Sequence, residues 1–202
     1  SQPQGLILVT GPTGSGKTVT LYSALQSLNH TEVNICSVED PIEIPLDGLN
    51  QTQVSVKSGL TFQSVLRSLL RQDPDIVMVG EIRDGETAEI AIKAAQTGHL
   101  VLSTLHTNST VETLIRLEQM GVARWMVSSA LVMVVAQRLV RKLCPHCRQK
   151  TSSEHRFPHA LWQRPLPHWA APGCRHCYGG YQGRLALFEV LPVTAPIRQG
   201  IA

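Results

Sequence analysis

An α/β fold, a parallel sheet carrying a phosphate-binding core with a small cysteine-bearing subdomain appended, is what this sequence predicts. Three observations predict it. Apolar strand-length runs alternate with amphipathic helical segments from residue 6 to residue 105, the arrangement that builds a parallel sheet covered by helices. Polar residues sit at the carboxyl end of each run, the edge of an open α/β sheet where ligands bind. Two Cys-x2-Cys pairs follow, Cys144 with Cys147 and Cys174 with Cys177.

The first strand, residues 6–9, feeds Gly11-Pro12-Thr13-Gly14-Ser15-Gly16-Lys17-Thr18, a full match to the phosphate-loop pattern. Gly11, Gly14 and Gly16 free the backbone to turn successive N–H groups inward at phosphate oxygens. A helix over 19–28 adds the positive end of its dipole. The strand 34–38 ends at Glu39-Asp40-Pro41-Ile42-Glu43, where Pro41 breaks regular structure, and 51–56 alternates like an edge strand.

Thr61 caps a helix over 62–72, with Phe62, Val65, Leu66, Leu69 and Leu70 on one face. Asp73-Pro74-Asp75 stops it, and a strand over 76–79 ends at Gly80-Glu81. Asp84 caps a helix running to 97, closed by Gly98. The strand 100–105 ends at His106-Thr107-Asn108, and Ser109 with Glu112 forms a capping box for a helix that Gly121 ends. The apolar run 130–136 reads as part of a last buried helix over 124–140, far too short to span a bilayer.

At 202 residues, 43% hydrophobic and 16% charged, the chain has enough material for a sizeable core and no signature of disorder. A net charge of +3 does not argue for nucleic acid. The one basic cluster, Arg138, Arg141, Lys142 and Arg148, reads as a solvated face or a helix C-terminus. No signal-peptide arrangement opens the chain, and a start so close to a core strand points to a piece of a longer protein.

In the chemistry of phosphoryl transfer, Lys17 would reach the β- and γ-phosphates of ATP and the Thr18 hydroxyl would hold Mg²⁺. The position after the strand 76–79 calls for a metal-binding carboxylate. Gly80 stands where an aspartate is usual, so Glu81 is the candidate, acting through the water shell of Mg²⁺. The structural alternative for Glu81 is a salt bridge to Arg83. Glu39, Asp40 and Glu43 put three carboxylates on one short loop; one of them is the base or orienter for water, and others cap or hold the loop. His106 lies at a strand end beside hydroxyl and amide side chains, whereas His99 precedes its strand and suits a role holding loops together.

The paired cysteines have the spacing of two zinc knuckles, with two sulfurs from each turn converging on one tetrahedral Zn²⁺. His146 and His176 are potential competitors, but Cys144, Cys147, Cys174 and Cys177 already fill the site; a disulfide is the alternative. Between the knuckles, residues 155–173 read as a long loop. The stretch 184–202 reads as strands returning to the core, and Cys36 as a buried small hydrophobe. The expected division is thus 1–141, an ATPase core; 142–183, a zinc-binding subdomain; and 184–202, the return.

Four blocks together resemble a known family: the phosphate loop; Val38-Glu39-Asp40-Pro41-Ile42-Glu43; Arg71-Gln72-Asp73-Pro74-Asp75 through Gly80-Glu81-Ile82-Arg83-Asp84; and Thr97-Gly98-His99-Leu100 through His106-Thr107-Asn108. They are similar to the Walker A, Asp box, Walker B and His box of the type II secretion and type IV pilus assembly ATPases. The resemblance implies a RecA-like P-loop NTPase core, with Glu43 as catalytic glutamate, Glu81 as Walker B glutamate and His106 near the γ-phosphate. Glu39, Asp40 and His99 would be supporting positions. It implies the extension type of the family, which carries a tetracysteine zinc subdomain.

The resemblance also implies a homo-hexamer with ATP bound between this domain and an N-terminal domain that supplies arginines and is absent here, so that the fragment alone turns over weakly or not at all. The expected setting is cytoplasmic and peripheral at the inner membrane, with a platform protein and pilus or secretion components as partners and no nucleic acid. The rival readings are a RecA-like DNA-uptake or DNA-translocating ATPase, which would want a basic stripe or stacking platform, and a nucleotide-binding assembly module without turnover.

Overall fold

A computed structural model describes residues 4–156, 158 and 163–202. Their elements are β1 (Gly5–Thr10), α1 (Lys17–Leu28), β2 (Ile35–Glu39), β3 (Asn50–Gln53), α2 (Phe62–Leu69), β4 (Ile76–Val79), α3 (Gly85–Gln96), β5 (Leu100–Leu105), α4 (Thr110–Gln119), α5 (Arg124–Ala130), β6 (Leu131–Leu143), β7 (Gln149–His155), β8 (Leu166–Ala170), β9 (Tyr181–Pro192) and α6 (Ala195–Ile201). They divide into a first unit, up to Arg138 and again Phe188–Ala202, and a second, Leu139–Leu187.

In the first unit the sheet order is β3-β2-β4-β5-β1-β6-β9, with β3 at the edge that the alternation of 51–56 predicts. The pairings β2/β3, β2/β4, β4/β5, β5/β1 and β1/β6 are all parallel. Alternation along each strand separates two cores. Ile76 and Met78 of β4 pack with Leu21, Tyr22 and Leu25 of α1, while Val77 and Val79 join Leu66 of α2 and Ala91 of α3 on the opposite face. Burial of the leucine, isoleucine, valine and methionine side chains is worth about 1.5–3 kcal/mol each, and helices on both faces are what the parallel strands require.

The helix ends obey their caps. Thr61 accepts from Ser64 N and the Ser64 hydroxyl accepts from Thr61 N, a reciprocal capping box. Asp84 accepts from Thr87 N. Ser109 accepts from Glu112 N, whereas the Glu112 carboxylate reaches one residue further back, to Asn108 N.

One expectation fails. The segment 124–140 is not a helix: α5 stops at Ala130 and the chain continues as the thirteen-residue strand β6. Short apolar runs are ambiguous between buried helix and buried strand, and here Val132, Val134, Val135 and Val140 tip the balance through β-branching. Tertiary context decides it. Leu6 lies against Leu131, Leu8 against Val134 and Thr10 against Ala136, so β6 satisfies the free ladder edge of β1, whose buried N–H and C=O groups would otherwise be unpaired. The basic residues Arg138, Arg141 and Lys142 therefore lie on a strand, with no helix dipole behind them.

Smaller differences follow. The helix expected over 62–72 ends at Leu69. The excursion 155–173 is not all loop, because β8 pairs antiparallel with β7; residues 157 and 159–162 of it lie outside the described residues. The return 184–202 holds most of β9 and then a short helix, α6, that no periodicity announces. From it Leu191, Ile197 and Ile201 pack on the core, while Leu185, Leu187, Phe188 and Val190 remain exposed. Cys36 is fully buried, and burial raises its thiol pKa.

Candidate functional site

The phosphate loop connects the end of β1 to α1. Gly11 and Gly16 have φ of +151° and +86°, and a Cβ on Gly11 would stand 2.4 Å from Gln137 O and 2.6 Å from Ser15 Oγ. Only glycine fits there. Gly16 is the N-cap of α1; no side chain caps the helix and no acid occupies its first turn, so its first N–H groups and positive dipole end are open to an anion. Ser15 Oγ is buried without a hydrogen-bond partner among the described residues. An orphaned buried hydroxyl inside a cradle of open N–H groups fits a phosphate, which would supply the missing acceptor.

Lys17 is buried, and its Nζ donates to Gly11 O at 2.8 Å and Pro12 O at 3.2 Å. Burial lowers its pKa, and the charge of Glu81 works in the opposite direction. Thr18 follows on the first turn, half-buried, in the position from which its hydroxyl would hold Mg²⁺.

The three carboxylates after β2 have separate surroundings. Glu39 is buried and accepts from Ser37 Oγ at 2.6 Å, from Gln51 Nε2 at 3.0 Å and from Tyr22 Oη. Burial first, and then the Glu39 contact, push Tyr22 up to about 12. The same Tyr22 hydroxyl accepts from Glu43 N at 3.3 Å, so Glu39 acts through Tyr22 to anchor the loop that carries Glu43. Glu43 itself is exposed, and its carboxylate makes no ion pair among the described residues. Asp40 lies 3.7 Å from Arg83.

Glu81 and His106 are brought together. Glu81 Oε2 is 3.4 Å from His106 Nε2, and its other oxygen pairs with Arg83, so the salt bridge weighed as the alternative role of Glu81 is present beside the contact to His106. The stitching is explicit. Ser103 Oγ donates to Val79 O at 2.7 Å and Thr104 Oγ1 to Gly80 O at 2.8 Å, tying the ends of β4 and β5. Thr107 N donates to Thr10 Oγ1 at 2.9 Å, and the Thr107 and Thr113 hydroxyls are 2.7 Å apart, tying β5 to β1 and α4. Because β5 lies between β1 and β4, His106 emerges between the phosphate loop and Glu81. Gly80 has little room for a side chain: a Cβ would lie 3.3 Å from Val38 O and 3.4 Å from Glu39 Cα, which leaves the strand-end carboxylate to Glu81. His99 is at the far end of β5, its Nδ1 2.9 Å from Ala94 O, consistent with holding a turn.

Three contributors have no signal in the sequence motifs. Gln137 of β6 is buried, donates to Ser15 O at 2.7 Å and accepts from Thr20 Oγ1 at 2.7 Å, clamping the phosphate loop to α1. Arg138 donates to Asn108 Oδ1 at 2.9 Å. Glu189 of β9 accepts from Thr110 N at 3.0 Å and from its hydroxyl, and these bonds lower its pKa. A helical reading of 124–140 hides the first two; only the strand puts adjacent residues onto opposite faces. Replacing Gln137 by alanine is expected to cost about 1–3 kcal/mol in urea denaturation and to weaken nucleotide binding. Unchanged values for both would rule out a clamp.

In the second unit, the sulfurs of Cys144, Cys147, Cys174 and Cys177 lie within 4.8 Å of one another. The separations are 3.9 Å for Cys144 to Cys174, 3.8 Å for Cys147 to Cys177 and 3.7 Å for Cys174 to Cys177. Four thiolates about 2.3 Å from one zinc at tetrahedral angles stand roughly 3.8 Å apart, so the set fits Zn²⁺; a disulfide needs about 2.05 Å. Arg148 N donates to Cys144 O and Cys177 N to Cys174 O, closing the two turns. His146 and His176 stack on each other at 4.7 Å between centroids and are not members of the cluster.

A family model described as type II/IV secretion system protein matches residues 1–202. The protein transport protein HofB homolog of Escherichia coli K12 is 75% identical over 201 residues, covering 100% of this chain and 44% of its own length. The type IV pilus assembly ATPase PilB of Pseudomonas aeruginosa is 52% identical over 207 residues, covering 98% of this chain and 36% of its own. The crystal structure of the pilus retraction motor PilT with bound ADP superposes with a TM-score of 0.74 at 34% identity, over 98% of this chain and 50% of that one. The chain thus spans about two fifths of the length of the curated relatives it matches.

Proposed function

Because this chain belongs to the type II/IV secretion system protein family, we propose that its first unit is the ATP-hydrolysing motor domain of a longer protein that powers type IV pilus assembly or type II secretion. The supporting observation is the convergence of Lys17, Glu81 and His106 at the carboxyl edge of the sheet, with Glu81 3.4 Å from His106 and its charge acting on Lys17.

The phosphate loop binds ATP through the N–H groups at the start of α1, with Ser15 Oγ and Lys17 as side-chain donors. Mg²⁺, held by Thr18 and through water by Glu81, would neutralise charge on the phosphates. Glu43, exposed on a loop anchored by Tyr22, orients the attacking water and takes its proton. His106, partnered by Glu81, registers the γ-phosphate, and the tie from Thr107 to Thr10 links its loop to β1. The four cysteines hold a structural zinc in the second unit.

The intact protein works as a homo-hexamer in which a preceding domain supplies arginines to the phosphates. It acts at the cytoplasmic face of the inner membrane, peripherally, on a platform protein. Among the described residues no helix is long and apolar enough to cross a membrane.

The test is ATP turnover of residues 1–202 beside the full-length protein, with Glu43→Gln as control. Turnover in the full-length hexamer, little in the shorter chain, and loss of at least two orders of magnitude in Glu43→Gln, about 3 kcal/mol of barrier, are expected. Equal turnover in both lengths would mean the site is complete within these residues, and the account of imported arginines would fall.

A further inference from the structure

Charge is pooled by unit in this chain. Residues 139–187 carry eight lysines and arginines against a single acid, Glu154, a net +7; the rest of the chain is then −4, since the total is +3. All eight cations are exposed, and none of the ion pairs among the described residues involves this segment. A scattered solvated surface would mix signs; here one sign dominates a small unit.

Aromatic side chains accompany the charge. The guanidinium of Arg141 lies 3.9 Å above the Tyr181 ring and that of Arg148 5.3 Å above the Trp169 ring. Trp169 is 38% exposed and Tyr178 90% exposed.

We propose that the second unit is a binding surface for anionic lipid headgroups, through which the protein holds the membrane directly. The inference rests on the proposed function, which puts the protein beside a membrane. Exposed Lys and Arg near an anionic leaflet each add to attraction, and Trp and Tyr favour the headgroup level where ring and polar edge are both accommodated. Nucleic acid shares the attraction to phosphate, but a single strand stacks successive bases on bare ring faces; a guanidinium already covers one face of Trp169 and of Tyr181, which leaves Tyr178 alone among the described Trp and Tyr rings of this unit without one. The observations therefore favour the lipid surface. Binding of this kind weakens as salt rises, because the interacting charges are exposed.

The experiment is co-flotation of the 202-residue chain with phosphatidylcholine vesicles, alone and containing phosphatidylglycerol. The comparison is with Lys142→Gln/Lys150→Gln/Arg164→Gln/Arg184→Gln, residues whose side chains make no hydrogen bond, ion pair or ring contact among the described residues. Zinc content and ATP affinity are measured on both proteins. Expected is salt-sensitive binding to the anionic vesicles only, falling at least about tenfold in the quadruple variant with zinc and ATP binding unchanged. Because vesicle binding needs no nucleotide, it reads independently of the ATPase assignment. No binding to anionic vesicles, binding that survives the four substitutions, or displacement of the protein from vesicles by a stoichiometric single-stranded oligonucleotide would each overturn the proposal.

Discussion

Lys17→Ala is expected to lower ATP affinity about a hundredfold, while stability without nucleotide stays the same or rises. Charge-assisted hydrogen bonds to phosphate are each worth about 1.5–3 kcal/mol, and Lys17 is the buried cation of the loop. Among the described residues its side chain hydrogen-bonds only to the Gly11 and Pro12 carbonyls, and burial already disfavours its charge. Alanine removes that cost and is the best helix former at the start of α1. Thermal unfolding with and without ATP separates the two effects. ATP at a hundred times its Kd stabilises the fold by about 2.7 kcal/mol, and at the same ATP concentration the hundredfold weaker variant should keep only about 0.4 kcal/mol of that shift. A retained shift would remove the phosphate-loop assignment; a collapsed melting temperature without nucleotide would show that Lys17 is a structural residue.

Cys144→Ala, or chelation of the wild type, is expected to release the metal and unfold residues 139–187 while the nucleotide-induced shift of the first unit persists. Structural zinc contributes about 10–16 kcal/mol of apparent binding free energy to the small modules it organises. The second unit has little else. Of the four cysteines Cys144 is fully buried, β7 and β8 are mostly exposed, and the apolar side chains Leu166 and Trp169 face water. Metal analysis and hydrogen exchange on the same sample give the check. The prediction is sharp because β6 runs without a break from Gln137, which clamps the phosphate loop, to Leu143, which precedes the first cysteine. Loss of ATP binding with loss of zinc would mean that this strand transmits disorder into the nucleotide site and that the two units are not independent.

The phosphate loop, the strand-end carboxylates and the cysteine spacing are local patterns. Each needs only a few neighbouring residues with fixed backbone roles: glycines for left-handed φ, a lysine one turn into a helix, sulfurs spaced by a knuckle. Such features are legible from one sequence. So were the caps of α2, α3 and α4, because Thr61, Asp84 and Ser109 compete for backbone N–H groups within three residues of themselves.

Ranking Glu43 against Glu39 was a different matter, since three carboxylates on one loop differ only in what surrounds them. Burial against Ser37, Gln51 and Tyr22 makes Glu39 an anchor and leaves Glu43 exposed, and those partners come from three separate elements.

The alternation of strands and helices, the phosphate-loop pattern and the pairing of the four cysteines were readable along the chain, because they depend on the backbone preferences and chemistry of residues near one another. Tertiary structure alone decided that 131–143 is a strand, that Gln137 clamps a loop 122 residues away, and that His106 meets Glu81. The reason is that a parallel sheet sets its neighbours by ladder pairing across long separations: the open edge of β1 selected a strand from a run whose own pattern permitted a helix.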